Sequence, residues 1–224
     1  MSLLDLDPEL AACVPAPEAA AARRDTVVRT IALPAGRWIA DAREPDPAHM
    51  GYLLVDGLMT RELRAAGGRS VELLGGGDVV RPWQEDSASF CQSRMQAFAP
   101  TRLAVLDERF AQHVATWPRL AVTLVDRALR RSRSLAAMSA VAHTGGLEQR
   151  LVALLWCLAE RWGTVSHEGV SVALPLTHQT LADLVGAQRP SVTTAVGRLA
   201  RAGRVTRPQG VWVLHGDPPG LGAT

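Results

Sequence analysis

The sequence predicts an α+β fold, with strands gathered in the N-terminal half and helices in the C-terminal half. Three observations predict it. Short apolar runs separated by turn residues fill positions 26–107. From Glu108 the apolar residues take up helical spacing. A brief strand, turn and strand pattern follows near positions 204–214.

Residues 1–25 are rich in alanine, proline and acids and read as a lead-in, with a short helix around 19–24. The apolar runs that follow are 27–33, 37–39, 52–55, 58–63, 70–74, 78–83, 90–98 and 103–106. The breaks between them hold Pro34-Ala35-Gly36, Asp56-Gly57, Gly67-Gly68 and Gly75-Gly76-Gly77. Many short strands at this spacing predict a β-barrel or sandwich. Asp56-Gly57 between two apolar runs reads as a hairpin turn, because both residues tolerate positive φ.

Trp117-Pro118 opens a long helix, since proline is tolerated in a first turn. Ala121, Leu124, Ala128, Leu135, Met138 and Ala142 recur at spacings near a coiled-coil seam, interrupted by Arg131, and predict an inter-subunit contact. His143-Thr144-Gly145-Gly146 breaks the helix and reads as a hinge. A second helix, 147–162, places Leu151, Leu154, Leu155 and Leu158 on one side.

The last stretch carries the functional signal. A strand candidate at 170–174 precedes Pro175, and Thr177 suits a helix N-cap for 178–185. Gly186 ends that helix, Ala187-Gln188 make a turn, and a further helix spans 189–202 with Pro190 in its first turn. On this helix Val192, Val196 and Leu199 form one stripe, while Ser191, Thr194, Arg198 and Arg201 form the opposite one. Residues 204–206 and 211–214 flank the turn 207–210 and read as a wing, from which Arg204 and Arg207 reach phosphate. Helix, turn, helix with a cationic outer stripe, then hairpin, is a winged helix-turn-helix suited to a major groove. A helix pair used only for protein contact is the alternative.

Charge agrees with that reading. The 224-residue chain has a net charge of only +2, but positions 177–215 hold five arginines against one acid, Asp183. There is no lysine, so every such contact is a planar guanidinium. No apolar run approaches the length of about 18 residues that spans a membrane. The N-terminus lacks a basic start before an apolar stretch, so a cytoplasmic protein is expected. Cys13, Cys91 and Cys157 lie far apart and have no metal-ligand spacing, so they read as isolated thiols. His49, His113 and His143 sit in no ligating motif, and no metal or cofactor is expected.

At this point the chain resembles the Crp/Fnr family of bacterial transcription regulators. The resemblance rests on residues 176–186 (LTHQTLADLVG) and 189–199 in the C-terminal part, and on 51–57 (GYLLVDG) and 73–78 (LLGGGD) in the N-terminal part. It implies a cyclic-nucleotide-binding-like jelly-roll barrel over 1–116, a dimerisation helix and hinge over 117–144, and a winged helix-turn-helix over 145–224. It also implies a homodimer on a palindromic promoter site in double-stranded DNA, with RNA polymerase as a candidate partner and no membrane. Arg189 matches the family's base-reading arginine. Thr177 and Gln179 match positions that hold phosphate. Gln188, Ser191, Thr193, Thr194, Arg198 and Arg207 complete the expected DNA-binding set. Pro190 stands where the family often has glutamate, and Thr194 where a second basic reader is common, so the preferred DNA sequence differs from the family's best-known palindrome.

Cyclic-AMP-binding relatives hold the ligand with a Gly-Glu pair and an Arg-Ser/Thr pair. Here Gly77-Asp78 stands near the first and Phe90-Cys91 at the second, with Arg94 on the same strand side as Phe90. Leu135 and Ala136 replace the polar residues that the long helix offers to the base. A phosphate without a placed cation is costly to bury, so tight cyclic-AMP binding is not expected. Asp78, Phe90, Cys91, Arg94 and Leu135 are the candidate effector-pocket residues for an unknown effector, with Cys91 as a redox candidate and Trp83 as a pocket or rim residue. The competing readings are a small-molecule or redox sensor whose helical domain contacts a protein partner, and a thiol enzyme built on Cys91. Nothing places a base beside that sulfur, so no enzyme is expected.

Overall fold

The computed structural model describes residues 1–39, 48–65, 68–82, 91–142 and 145–219. Trp83, Phe90 and His143 therefore lie outside the described residues, as does the side chain of Cys91. The chain divides into two compact units, Met1–Ser132 and Arg133–Thr224.

The first unit opens with α1 (Leu3–Leu6), α2 (Pro8–Ala12) and α3 (Ala19–Asp25). Side chains start the first two: Ser2 accepts from Leu4 N–H and Asp7 from Leu10 N–H, with Pro8 in the first turn of α2. This stretch is more than a lead-in. Leu3, Leu4, Leu10 and Ala22 are buried in one cluster with Leu53, Ala104, Leu106, Phe110, Leu120 and Leu124. Each buried leucine of this kind contributes on the order of 1.5–3 kcal/mol, so the segment closes a core.

Among the described residues, eight strands follow: β1 (Arg29–Leu33), β2 (Gly36–Trp38), β3 (Gly51–Asp56), β4 (Leu58–Ala65), β5 (Gly68–Gly75), β6 (Val79–Val80), β7 (Cys91–Ala97) and β8 (Thr101–Leu106). They form two four-stranded antiparallel sheets, ordered β1-β8-β3-β6 and β2-β7-β4-β5. Leu54 and Leu103 from the first sheet share a core with Met59, Leu74 and Met95 from the second. This is the double-sheet form of a roll. The hairpin expected at Asp56-Gly57 does not form, because β3 and β4 belong to different sheets. Gly57 (φ +95°) instead turns the chain from one sheet to the other, and a Cβ there would fall 2.8 Å from Thr101 Cα. The turn chemistry was legible; the partner of each strand was not.

After α4 (Glu108–Val114), capped by Asp107, the helix α5 spans Pro118–Ala142. Its inner face holds Leu120, Leu124 and Arg127, all buried. The expected seam through Leu124 is therefore corrected: Leu124 packs in the core of its own unit. The exposed apolar stripe lies one position over, on Val122, Val125 and Leu129, which are 58%, 57% and 54% exposed. Ser132 continues the spacing of three, four and three.

Two arginines rivet α5 to the rest of its unit. Arg127, 7% exposed, donates to both carboxylate oxygens of Asp7 (2.5 and 2.8 Å) and to Glu9 (2.7 Å). Arg131 donates twice to Glu72 (2.5 and 2.9 Å) and once to the Val79 carbonyl (2.7 Å), and Arg61 meets the same Glu72 at 3.0 Å. Burial opposes the charge on Asp7, yet the bonds and charge of Arg127 outweigh it and hold the carboxyl below its ordinary range. Arg131 interrupts the seam pattern because it faces the strands.

The second unit contains α6 (Leu147–Trp162), β9 (Gly163–Ser166), β10 (Gly169–Val172), α7 (His178–Val185), α8 (Arg189–Arg201), β11 (Val205–Thr206) and β12 (Trp212–Leu214). Helices α6, α7 and α8 touch one another pairwise. Leu151, Leu154, Leu155 and Leu158 are buried, as are Leu181, Leu184, Val192 and Leu199. The strands form one antiparallel sheet ordered β11-β12-β10-β9.

Candidate nucleic-acid interface

The interface is built on α7, α8 and the β11–β12 hairpin. Thr177 caps α7 as its sequence suggests: its hydroxyl accepts from Thr180 N–H at 3.1 Å. Gly186 takes the left-handed conformation (φ +62°, ψ +45°) and turns the chain into α8. Gln188 is the N-cap of α8 but makes no side-chain bond there. Arg189 and Pro190, in the first turn of α8, are exposed. The helix buries Val192, Ala195 and Leu199, while Ser191, Thr194, Arg198 and Arg201 are exposed together on the other side. Val196, expected on the packed stripe, is half-buried, and Ala195 takes the deeper place.

Among the described residues, Arg189 makes no side-chain bond and is exposed. A guanidinium with five unsatisfied donors at the start of an outward helix is free to form a bidentate pair with guanine. Thr193 bonds back to the Arg189 carbonyl at 3.0 Å and to His178 Nδ1 at 3.0 Å, which ties α8 to the start of α7. Thr194 bonds to the Pro190 carbonyl at 3.2 Å. Gln179, exposed on α7, donates to Asp183 at 2.8 Å. Burial, and then Arg207 and Arg189, push the pKa of His178 below the ordinary histidine value, which disfavours its charged form.

Arg207 occupies a different setting from the one expected of a free phosphate contact. It donates to the Leu176 carbonyl at 2.9 Å and to the Gly210 carbonyl at 3.3 Å, and its guanidinium lies 4.6 Å from the Trp212 ring centroid. Trp212 Nε1 donates to the same Leu176 carbonyl at 3.3 Å. Together they pin the wing to the chain just before α7. Sequence reasoning missed this lock, and only the proximity of Arg207 to Trp212 in the chain hinted at it. Arg204 is exposed on the wing.

Of the effector-pocket candidates, the side chains of Asp78, Arg94 and Leu135 fall among the described residues. Asp78 is 5% exposed and accepts from Gly75 N–H at 2.8 Å, so its carboxylate staples the Gly75–Asp78 turn. Arg94 lies opposite Glu62 on β7 and is exposed, whereas its neighbours Ser93 and Met95 line a small cavity with Arg61, Leu63, Val80, Arg81 and Pro82. Arg94 is not among the residues that line this cavity. Leu135 belongs to the second unit and is 37% exposed. The arginines Arg61 and Arg81 at this cavity were not anticipated, since isolated charges on separate strands give no periodic signal.

His49 Nδ1 accepts from Gly51 N–H at 3.0 Å, and His113 Nδ1 pairs with the Arg109 carbonyl at 2.7 Å. No group of three or more metal-binding side chains occurs among the described residues. Cys13 bonds to Thr123 at 3.1 Å, and burial followed by Glu160 pushes the Cys157 thiol up.

Comparison with known proteins agrees with the architecture. Residues 149–223 match the model of the Crp-like helix-turn-helix domain. The transcriptional regulator SdrP of Thermus thermophilus is 30% identical over 192 residues, spanning 80% of this chain and 86% of SdrP. The HTH-type transcriptional regulator ycf28 of Porphyra purpurea is 28% identical over 103 residues, and the match spans 46% of this chain and 43% of ycf28. A solved structure of a CooA mutant from Carboxydothermus hydrogenoformans superposes with a TM-score of 0.67 at 17% identity, covering 84% of this chain and 83% of that one. The last of these shows the fold alone.

Proposed function

Because the chain belongs to the Crp/Fnr family of transcription regulators and is a DNA-binding protein of that type, we propose that it acts as a two-fold dimer on a palindromic site. In this reading α8 enters the major groove, Arg189 reads a base edge, and Ser191, Thr194, Arg198, Thr177 and Gln179 hold the backbone. The observation that carries the reading is the exposed polar and cationic stripe of α8, with a free arginine at its outer start. Dimerisation is supported by the exposed Val122, Val125 and Leu129 on α5, since three large apolar residues at heptad spacing are costly to leave in water. A two-fold pair would place its reading helices about one helical turn, roughly 34 Å, apart.

The regulator would not respond to cyclic AMP. This is supported by the bond that the Asp78 carboxylate accepts from Gly75 N–H and by the exposed Arg94, which is not among the residues that line the cavity. No catalytic step is assigned to the chain. No helix among the described residues is long and apolar enough to cross a membrane, and the proposed place of action is the cytoplasm, with its DNA.

Genomic fragments selected by the purified protein test the reading. The expected result is an enriched inverted repeat, footprinted on two successive major grooves. The paired change Val125→Glu with Leu129→Glu should halve the sedimenting mass and abolish the footprint at the same concentration. Retention of the full footprint by a monomeric variant would overturn the dimer, and recovery of random fragments would overturn sequence-specific reading.

A further inference from the structure

The arginines of the second unit are not all equally available. Arg198 lies on the exposed stripe of α8, two turns beyond Ser191 and one beyond Thr194. Its Nη1 meets Glu148 Oε1 at 3.1 Å. Among the described residues, it is the member of the 177–215 arginine set that a carboxylate holds. Glu148 sits in the first turn of α6, where an acid is already favoured by the exposed N–H groups of a helix start. That alone does not explain its direction, because the carboxylate turns across to α8. The pair bridges a concave space of about 650 Å³ lined by Gly146, Gln149, Ser191 and Thr194. A phosphodiester approaching the stripe would meet this space, and in it a negative charge already paired with the cation it needs.

We propose that Glu148 is an internal substitute for a DNA phosphate at Arg198, competing with the duplex and lowering the charge that the interface presents. The inference rests on the DNA-binding reading given above. Both side chains are largely solvated, so the pair adds little to stability and can open at little cost. Opening it, however, leaves Glu148 beside the phosphates that Arg198 has joined. The pair thus contributes almost no net counterion release, where a free arginine would contribute one full contact. Base reading at Arg189 is untouched. The effect falls equally on cognate and scrambled DNA, and sets how strongly the protein holds any duplex at a given salt concentration.

The experiment uses the full chain, with Glu148→Gln, Arg198→Gln and the double variant. A fluorescent duplex carrying a selected site and a scrambled duplex are titrated over a tenfold range of salt. Thermal melts of each variant confirm that the exposed changes leave the fold intact. For Glu148→Gln the plot of log affinity against log salt should steepen by about 0.9, equivalent to roughly an eightfold gain opening over that range. The ratio of cognate to scrambled affinity should stay constant. In the Arg198→Gln background the same change at Glu148 should give no steepening. An unchanged slope in Glu148→Gln would overturn the proposal. So would a gain that persists without Arg198, since that is the long-range effect of removing one negative charge. If the unaltered protein binds neither duplex, the DNA-binding reading itself fails, and that outcome is visible before any variant is compared.

Discussion

Arginine does opposite work in the two units. In the first, Arg127 and Arg131 are drawn inward and held by carboxylates, so their charge is used up within the fold. In the second, Arg189 and Arg204 stand in water with no acidic partner among the described residues. Burial cost explains the division. A guanidinium removed from water must meet an acid with good geometry, and Asp7 and Glu72 provide it. A guanidinium left in water keeps its donors for a partner. Arg198 and Arg207 lie between these cases, the first held loosely by Glu148 and the second packed on Trp212. Among these six arginines, those held by buried acids serve the fold, and those left exposed keep their donors for a ligand.

The comparison can be broken at its strongest point first. Arg127→Met leaves Asp7 buried beside Glu9 without a cation. It should cost about 3–5 kcal/mol in chemical denaturation, the range for stranding one member of a buried pair. A loss below about 1 kcal/mol would mean that Arg127 is no more committed than a surface residue. The acid side gives an independent check. The folded-state pKa of Asp7 is depressed, so its contribution is present above its unfolded value, near 4, and is lost as pH falls through the lower folded value. Melting temperature should drop on acidification below about pH 4, and Asp7→Asn should flatten that drop.

Arg189→Ala is the counterpart. It should leave the melting temperature unchanged while costing about 1–3 kcal/mol of discrimination between the selected and a base-substituted site in a mobility-shift assay. Equal discrimination in the variant would remove Arg189 from the reading role. The smallest effect is expected at the intermediate case. Arg207→Ala gives up the bonds to the Leu176 and Gly210 carbonyls and a cation–π contact worth about 0.5–1 kcal/mol at an exposed site. Amide exchange in β11 and β12 should quicken while overall stability changes little. A loss of DNA affinity with a steep fall in salt slope would show instead that Arg207 reaches phosphate.

Much of the fold was legible wherever a local rule met a long enough stretch. The helix 147–162 is an apolar side repeated over four turns, and the structure places α6 there. The α7–α8 pair was marked by chemistry with a backbone cause, the Thr177 cap and the left-handed Gly186. Helices α1 and α2 are four and five residues long, too short to show a period, and only their burial against β3 and β8 gives them meaning. Pairing was the other limit. Asp56-Gly57 announces a turn correctly, but whether its flanking strands pair is decided by distant partners. Alternation put Arg94 on one side of its strand without saying which side faces the cavity. For the candidate interface, the exposed stripe could be read from spacing. The Glu148 carboxylate fifty residues away from Arg198 could not.

The sheet order of the second unit has a consequence for control. The strand that leads into α7 is the same one to which the wing is stitched, since β10 pairs with β12 and β12 with β11. The helix pair proposed to meet DNA and the hairpin beside it therefore share one hydrogen-bonded frame. A switch could not tune such a head by loosening one finger against another; it would have to deliver the whole assembly to the duplex or withhold it.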